Sequence, residues 1–414
     1  MTEGPLAPES VSPRGGFPGA MLGKYRIVEE IGIGGMAQVF LAVLDGPDGF
    51  MKPVVVKRIL SEFSDDETYL QMFVNEAKVS ALMSHPNVVT VHEFTRADDE
   101  NFILVMEYVN GASLDRVVRA ARKVNYPLGY RFAVELGVNI AHALSYAHQL
   151  RAPDGSALNL VHRDVSPGNV LISRDGLVKL SDFGVVKSSA VSSGTAAGVV
   201  KGKWAYMSPE QVSNRPIDHR SDLFSLGIIL YEVATQTRLF RGDSLATTVG
   251  AVMHAEIVPP SQVRPEIPVA FDRVVMKALA RLPGQRWRSA GELAQALDEL
   301  RAEQGWTQGA KALSNTINAL FPRDSLKALR GPPPLPPPLP PPPVATPAPV
   351  PPAAEPEVLP TTDAGAEAHD VPLADEPGEP AAAVAPEPEV SPLFIAALLA
   401  VVLLASASFW FFVL

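Results

Sequence analysis

Residues 161–170 have the sequence VHRDVSPGNV, in which a short polar turn separates two apolar runs. The turn places Asp164 five residues before Asn169, and a second acidic turn, SDFG, brings Asp182 eighteen residues after Asp164. Carboxylate and amide oxygens are the hard ligands that Mg²⁺ prefers. An isolated Asp-Phe-Gly is common and mostly marks a turn, so these residues decide the fold only together with the segments around them.

The composition excludes several kinds of site. The 414 residues include no Cys, which excludes disulfides, thiolate metal sites and a Cys nucleophile and fits a reducing compartment. The formal net charge is −10, but ten acidic residues and no basic ones follow Arg330, whereas the other 35 acidic residues balance the 35 basic ones. Because no basic tract is present, no nucleic-acid partner is expected.

Strand-like segments dominate the first part of the chain and helix-like segments follow. Short runs rich in β-branched and aromatic residues predict strands, and apolar residues at three- and four-residue spacing predict amphipathic helices. The predicted strands are YRIVEEIG, QVFLAVLD, KPVVVKRI and NFILVMEYV, and the clearest helices are YLQMFVNEAKVSALM and RFAVELGVNIAHALSYAHQ. We therefore expect an α+β domain with a strand-rich lobe before a helical lobe.

The remaining segments differ in composition. Residues 1–24 are predicted to be a flexible lead. Residues 1–20 are rich in Pro, Gly and Ser and lack the basic start and apolar run of a signal peptide. The folded domain is predicted over 25–302. A helical extension is expected over 303–330, where ALSNTINALF can form one amphipathic helix.

A Pro-rich acidic linker and an apolar segment complete the chain. Residues 331–392 hold 22 of the 40 prolines, so they favour an extended spacer, and 332–343 could also bind a proline-recognition domain. The uncharged segment 393–414 would span roughly 33 Å as a helix, enough for a bilayer core of about 30 Å. A transmembrane helix is therefore predicted there, with a buried core helix as the alternative.

Two segments near the start of the chain carry further candidate residues. In IGIGGMAQVF (31–40), Gly32, Gly34 and Gly35 would let backbone amides approach phosphates, although a Gly-rich hairpin without a ligand has the same pattern. In VVVKRI, Lys57 lies on an apolar strand and needs a partner, because burying an unpaired ammonium is costly. Glu76, nineteen residues later in the first helix, is either that partner or a solvated glutamate.

Taken in order, these motifs resemble those of eukaryotic-type protein kinases and are similar to bacterial serine/threonine kinases. The resemblance covers about residues 25–300 and includes the Gly-rich loop, strand Lys, helix Glu, HRD followed by Asn, and DFG. YMSPE (206–210), Asp222 and Arg286 match further family positions, and that Arg pairs with the Glu of P-E in the family. The third glycine of the loop is replaced by Ala37. A bilobal fold, ATP and Mg²⁺ are implied by the resemblance.

The resemblance also implies roles for individual residues. Lys57, oriented by Glu76, would contact the α- and β-phosphates, while Asp164 would accept the proton of the substrate hydroxyl. Asn169 and Asp182 would hold Mg²⁺. The backbone of Glu107 and Val109 would bind the adenine, with Met106 behind it and Val55 crowding the adenine slot. The residues implied to bind the nucleotide are Ile31, Gly32, Ile33, Gly34, Gly35, Met36, Ala37, Gln38, Val39, Val55, Lys57, Glu107 and Val109.

One position departs from the family in a way that bears on catalysis. Two residues after the catalytic Asp the family has a Lys that contacts the γ-phosphate, and here it is Ser166. Conversely, Lys203 stands where the family usually has a Thr that reaches back toward the catalytic Asp. We expect Lys203 to supply the missing charge as a catalytic residue. The alternative is a solvated loop lysine at a site that works without that charge.

The predicted activity is phosphorylation of Ser and Thr in protein substrates. Pro167 and YMSPE resemble serine/threonine kinases rather than tyrosine kinases. Autophosphorylation is predicted within 188–195, where Arg163 could bind the phosphate; the candidate acceptors are Ser188, Ser189, Ser192, Ser193 and Thr195. The kinase domain is expected on the cytoplasmic side of a membrane, because ATP is cytoplasmic. A nucleotide-binding pseudokinase and a Pro-rich membrane adaptor remain as alternatives.

Overall fold

A computed structural model describes residues 18–34, 36–97, 101–183, 203–306 and 309–321. Several sequence predictions fall outside these ranges: most of the N-terminal lead, Gly35, the acceptor segment 188–195, the Pro-rich linker and the apolar segment 393–414.

The first lobe contains an antiparallel sheet of six strands: β1 Met21–Leu22, β2 Tyr25–Ile33, β3 Ala37–Asp45, β4 Met51–Ile59, β5 Val91–Arg96 and β6 Phe102–Glu107. Their order in the sheet is β1-β2-β3-β4-β6-β5. Strands alternate side chains between the two faces. Val54 and Val56 therefore point into a core with Phe40, while Lys57 lies on the face that packs against the first helix.

The helix of this lobe, α1, spans Glu67–Ala81. Asp66 begins it as an N-cap, since its side chain accepts hydrogen bonds from the backbone N–H of Thr68 and Tyr69. Phe73, Glu76 and Ala77 are buried together on one face of the helix, at the three- and four-residue spacing of a helix stripe. The sequence thus directs Glu76 toward the sheet and toward Lys57.

The second lobe is mainly helical. Its helices are α2 Leu114–Lys123, α3 Gly129–His148, α4 Pro209–Val212, α5 Arg220–Thr235, α6 Leu245–His254, α7 Pro260–Val263, α8 Val269–Ala278, α9 Ala290–Glu303 and α10 Gly309–Leu320. The long helix α3 is at the centre and packs against α5 and α9, and Gly137 of α3 allows a close approach of Leu230 and Leu297.

A small three-stranded sheet packs its buried residues into the core of the second lobe. It consists of β7 Gly111–Ser113, β8 Val170–Ser173 and β9 Val178–Leu180. The segment between α3 and β8 contains VHRDVSPGNV, and β9 runs directly into Asp182. The strand-rich lobe followed by a helical lobe, predicted from the sequence, is confirmed.

Helix α10 lies on the second lobe within the segment predicted to be a helical extension. Leu313 and Ile317 are fully buried against the core of that lobe. Arg174 joins the turn after β8 to α10, because it donates to Asn318 Oδ1 and to the carbonyl of Phe321. Among the described residues no helix is long and apolar enough to cross a bilayer.

Candidate active site

Lys57 joins three elements at the boundary of the lobes. Its Nζ lies 2.5 Å from Glu76 Oε1 on α1 and 2.8 Å from Asp182 Oδ1 after β9. Burial by itself would lower the pKa of Lys57, but the charges of Asp182 and Glu76 outweigh it and the pKa is raised. The lysine is 9% exposed and stays an ammonium, so it can hold a fixed positive charge beside a polyphosphate.

Asp182 is held in an unusual backbone conformation. Its φ is +54°, in the left-handed region, and the next residue, Phe183, is 1% exposed with its ring 4.4 Å from that of His162. His162 Nε2 lies 3.1 Å from the carbonyl oxygen of Ser181. The buried Phe183 and His162 therefore fix the turn that aims Asp182 at Lys57.

Asn169 complements Asp182 as a candidate metal ligand. Its Nδ2 donates to the carbonyl of Asp164 at 2.8 Å, which leaves Oδ1 as the acceptor of the amide. The carbonyl of Asn169 accepts the N–H of Ser181 at 2.9 Å, so the segments with Asn169 and Asp182 are hydrogen-bonded to each other. Within the described ranges no three His, Cys, Asp or Glu side chains form a metal cage. One carboxylate and one amide fit Mg²⁺, which is usually bound by one or two carboxylates together with phosphates and water.

Asp222, near the start of α5, holds the backbone of the HRD segment in place. Its two carboxylate oxygens accept the backbone N–H of His162 at 2.8 Å and of Arg163 at 2.9 Å, where Arg163 has a φ of +64°. His148 Nε2 lies 2.8 Å from Asp222. Burial would raise the pKa of Asp222, but the bond with His148 and the nearby histidines outweigh it and the pKa is lowered. Sequence analysis named Asp222 but missed His148, whose only signal was its position at the end of a helix.

Asp164 lies against Lys203. Lys203 Nζ is 2.7 Å from Asp164 Oδ2, and the side chains of Lys203 and Asp164 are 44% and 9% exposed. Ser166 is 6% exposed, and its carbonyl accepts the N–H of Asn169 at 3.0 Å. The structure therefore brings Lys203 to the carboxylate of Asp164.

The described residues of the Gly-rich segment lie at the end of β2, at the start of β3 and beside these strands. Gly34 N–H donates to the carbonyl of Ala37 at 2.7 Å, and Ala37 is 2% exposed inside the core shared with α1. Ile31 and Ile33 are 48% and 59% exposed, while a Cβ at Gly32 would meet open space. These strands thus leave apolar side chains and open backbone where a nucleotide is predicted to bind.

The connection between the lobes carries an ion pair that sequence analysis missed. Glu107 ends β6, and its Oε1 accepts the backbone N–H of Thr90 at 2.7 Å and lies 2.7 Å from Lys179 Nζ on β9. Val55 on β4 pairs with Met106 on β6, and Glu107 follows Met106 in the chain. Val55 and Glu107, which are both predicted to lie at the adenine, are therefore neighbours of Met106. Val109 is half-buried beside the same core.

Glu210, the last residue of YMSPE, forms a buried ion pair with Arg286. Arg286 donates from two nitrogens to the two oxygens of Glu210, at 2.6 Å and 2.8 Å. Burial would raise the pKa of Glu210, but the bonds from Arg286 and Ser221 outweigh it and the pKa is lowered. Gln211 Nε2, next in the chain, donates to the carbonyl of Arg163 at 2.9 Å and so links this anchor to the catalytic loop.

Comparison with known proteins gives matches over the same region. The family model described as protein kinase domain matches residues 25–296. MasK of Myxococcus xanthus, named a tyrosine-protein kinase, is 35% identical over 299 residues, which are 72% of this chain and 46% of MasK. PknH of Mycobacterium tuberculosis, named a serine/threonine-protein kinase, is 34% identical over 320 residues, which are 77% of this chain and 47% of PknH.

Further similarity extends to a third relative and to a solved structure. PknA of Mycobacterium tuberculosis, also named a serine/threonine-protein kinase, is 35% identical over 296 residues, 70% of this chain and 64% of PknA. The chain spans about half the length of the first two relatives. The crystal structure of the Mycobacterium tuberculosis PknI kinase domain has a TM-score of 0.51 and 24% identity and covers 69% of this chain and 99% of that domain. The bilobal architecture is therefore shared with a solved kinase domain.

Proposed function

The chain belongs to the protein kinase family, with a domain of the bacterial serine/threonine type, and we propose that it transfers the γ-phosphate of ATP to Ser and Thr hydroxyls of proteins. The observation that carries this proposal is the position of Lys57 between Glu76 and Asp182, at 2.5 Å and 2.8 Å. In protein kinases this Lys–Glu pair and the metal-binding Asp must both be in place for catalysis. A domain that only bound partners would not require this arrangement.

The proposed chemistry follows from the placement of each side chain. Bound Mg²⁺ and ATP supply the phosphoryl donor and neutralise its charge. Lys57 would bind the α- and β-phosphates, the backbone of the β2–β3 hairpin would cover them, and Asn169 Oδ1 with the Asp182 carboxylate would hold the metal. Asp164 orients the acceptor hydroxyl and takes its proton. The protein thus contributes positioning and fixed charges, which are the main sources of catalysis in phosphoryl transfer.

The acceptor class is proposed from the loop chemistry and the relatives. Pro167 and YMSPE are similar to serine/threonine kinases, as PknH and PknA are named, whereas MasK is named a tyrosine kinase. Phosphoamino-acid analysis of a labelled substrate distinguishes the two classes. Phosphoserine and phosphothreonine are the expected products, and phosphotyrosine alone would contradict the proposal.

Activity is tested on the full chain with ATP and Mg²⁺, followed by intact mass measurement, with Asp164→Asn as the inactive control. The parent is expected to incorporate phosphate and the variant is not. If the parent binds ATP but phosphorylates neither itself nor a panel of protein substrates, the pseudokinase alternative replaces this proposal. Phosphosite mapping of the same sample tests the proposed autophosphorylation within 188–195, and an unmodified segment in an active sample would contradict that part.

Arg163 supports the proposed role of that segment. Its backbone is fixed on both sides, by the bond from its N–H to Asp222 and the bond from Gln211 to its carbonyl, and it directly precedes Asp164. A phosphate on 188–195 that binds the Arg163 guanidinium would therefore order the segment next to the catalytic carboxylate.

We further propose that 393–414 anchors the kinase domain on the cytoplasmic face of a membrane. The uncharged composition of that segment supports the anchor. The linker 331–392, if a flexible coil, would let the domain range over roughly 45 Å. Deletion of 393–414 should move the protein from the membrane fraction to the soluble fraction, and an unchanged distribution would refute the anchor.

Recruitment through the Pro-rich tract is a separate role. The run GPPPLPPPLPPPP is typical of an extended polyproline segment, which proline-binding domains recognise. Deleting 332–343 and comparing both kinase activity and partner capture separates an adaptor role from catalysis. Loss of a partner with unchanged activity would support recruitment, whereas no change in either would support a spacer alone.

A further inference from the structure

The catalytic loop lacks a cation at the position where the family supplies one. Ser166 stands two residues after Asp164, is 6% exposed, and offers only a hydroxyl. A neutral hydroxyl cannot balance the charge that spreads over the oxygens of a phosphoryl group in transit. A cation near Asp164 would supply this charge in place of the missing lysine.

Within the part of the chain that the structure describes, Lys203 is a cation in contact with Asp164. The 2.7 Å between Lys203 Nζ and Asp164 Oδ2 connects residues 39 positions apart in the chain. Lys203 directly precedes the short helical turn Trp204–Tyr206, whose last residues are buried, so its backbone is anchored although its side chain is 44% exposed. An ammonium on an anchored backbone and with an exposed side chain can reach both Asp164 and a phosphate in front of it.

We infer that Lys203 is a catalytic residue that replaces the family lysine missing at Ser166; this inference rests on the proposed kinase function. In the reaction the acceptor oxygen forms a bond to the γ-phosphorus while the bond from that phosphorus to the ADP oxygen breaks. The hydroxyl proton passes to the Asp164 carboxylate. Lys203 keeps its protons and stabilises the negative charge on the transferring phosphoryl oxygens.

The position of Lys203 distinguishes it from an ordinary surface lysine. An exposed ion pair between two mobile side chains usually contributes little, because ordering the side chains offsets the electrostatic attraction. Here the partner carboxylate is 9% exposed and belongs to the residue that takes the proton. The side chain of Lys57, 11% exposed, is committed to Glu76 and Asp182 on the other side of the site. Lys203 is thus placed beside Asp164, whereas Lys57 is placed between Glu76 and Asp182.

The test compares four forms of the full chain in detergent: parent, Lys203→Met, the exchange Ser166→Lys with Lys203→Thr, and Lys123→Met. Lys123 is an exposed lysine at the end of α2 and serves as the matched control. Removing a group that stabilises transition-state charge typically costs 10²- to 10³-fold in kcat. Lys203→Met should therefore lose at least tenfold in kcat, with the Kd for a fluorescent ATP analogue within about threefold of the parent.

The exchange variant separates a catalytic charge from a structural contact. It removes the Lys203–Asp164 ion pair but returns an ammonium to the family position, so it should recover most of the lost kcat. Near-normal kcat in Lys203→Met would overturn the inference and leave the kinase proposal intact, as would an exchange variant that binds the analogue normally but stays as inactive as Lys203→Met. A parent without any phosphotransfer would instead overturn the proposed function and this inference with it.

Discussion

Replacing Arg286 with Met is expected to destabilise the protein strongly without touching the nucleotide site. Arg286 and Glu210 are 2% and 3% exposed, and their two hydrogen bonds measure 2.6 Å and 2.8 Å. Removing one partner of a buried ion pair costs about 3–5 kcal/mol, because the other charge stays buried and unpaired. Arg286 also donates to three backbone carbonyls, and these bonds would be lost as well. We therefore expect the free energy of unfolding to fall by at least ~3 kcal/mol.

Urea unfolding followed by tryptophan fluorescence measures this change. The matched control is Arg288→Met, because Arg288 is exposed and its side chain has no bond among the described residues. Surface substitutions of that kind usually change stability by less than about 0.5 kcal/mol. A loss below about 1 kcal/mol for Arg286→Met, or an equal loss for both variants, would refute the view that the buried pair anchors this segment.

The pH dependence gives a second check with a defined sign. The pKa of Glu210 in the folded protein is lowered from its ordinary value of 4.5. Its contribution to stability is therefore present above that value and is lost as the pH falls through the lowered pKa. In Arg286→Met the unpaired carboxylate is buried, so its pKa rises and acid relieves the penalty. The stability gap between parent and variant should narrow from pH 7 to about pH 5, and a gap that is constant over this range would contradict the argument.

Two further predictions concern the docking of α10 and the Lys179–Glu107 contact. Gly176 and Gly155 both have a φ of +85°, but a Cβ at Gly176 would lie 1.8 Å from the carbonyl oxygen of Ala310 on α10, whereas at Gly155 it meets nothing. Gly155→Ala should cost about 1–2 kcal/mol from backbone strain, and Gly176→Ala should cost more in urea unfolding; equal losses would contradict the close approach of α10. Lys179→Met removes the 2.7 Å bond to Glu107, so it should raise the KM for ATP more than it lowers kcat; steady-state kinetics showing only a kcat effect would refute a role in nucleotide binding.

The Lys57–Glu76 pair was predictable because two local periodicities converge on it. The alternation along β4 sets the face on which Lys57 lies, and the Asp66 cap with the apolar stripe of α1 sets the face of Glu76. Each signal acts within a few residues, and the nineteen-residue separation is bridged by one strand-to-helix connection. The order of the lobes could be predicted for the same reason, because strand and helix patterns depend on residues that are close together in the sequence.

Other contacts could not be predicted because no local pattern encodes them. His148 and Asp222 are 74 residues apart, and Lys179 and Glu107 are 72 apart. Each is an ordinary polar residue of its helix or strand until the fold brings it to its partner. The docking of α10 is similar, because ALSNTINALF indicates an amphipathic helix but not the turn at Arg174 on which that helix rests.

Ser166 and Lys203 are an intermediate case. Each differs from the residue that the family usually has at its position, and the two differences offset each other in charge. The family supplies one ammonium from the catalytic loop and a neutral Thr from the later segment, while this chain has a neutral Ser and an ammonium at those positions. These two positions therefore contribute the same formal charge in both arrangements. Among the described residues, Asp164 contacts Lys203, and Asp182 contacts Lys57, which also contacts Glu76. A domain that had only to bind partners would not need this balance, so the charge around Asp164 favours an enzyme over an inactive shell.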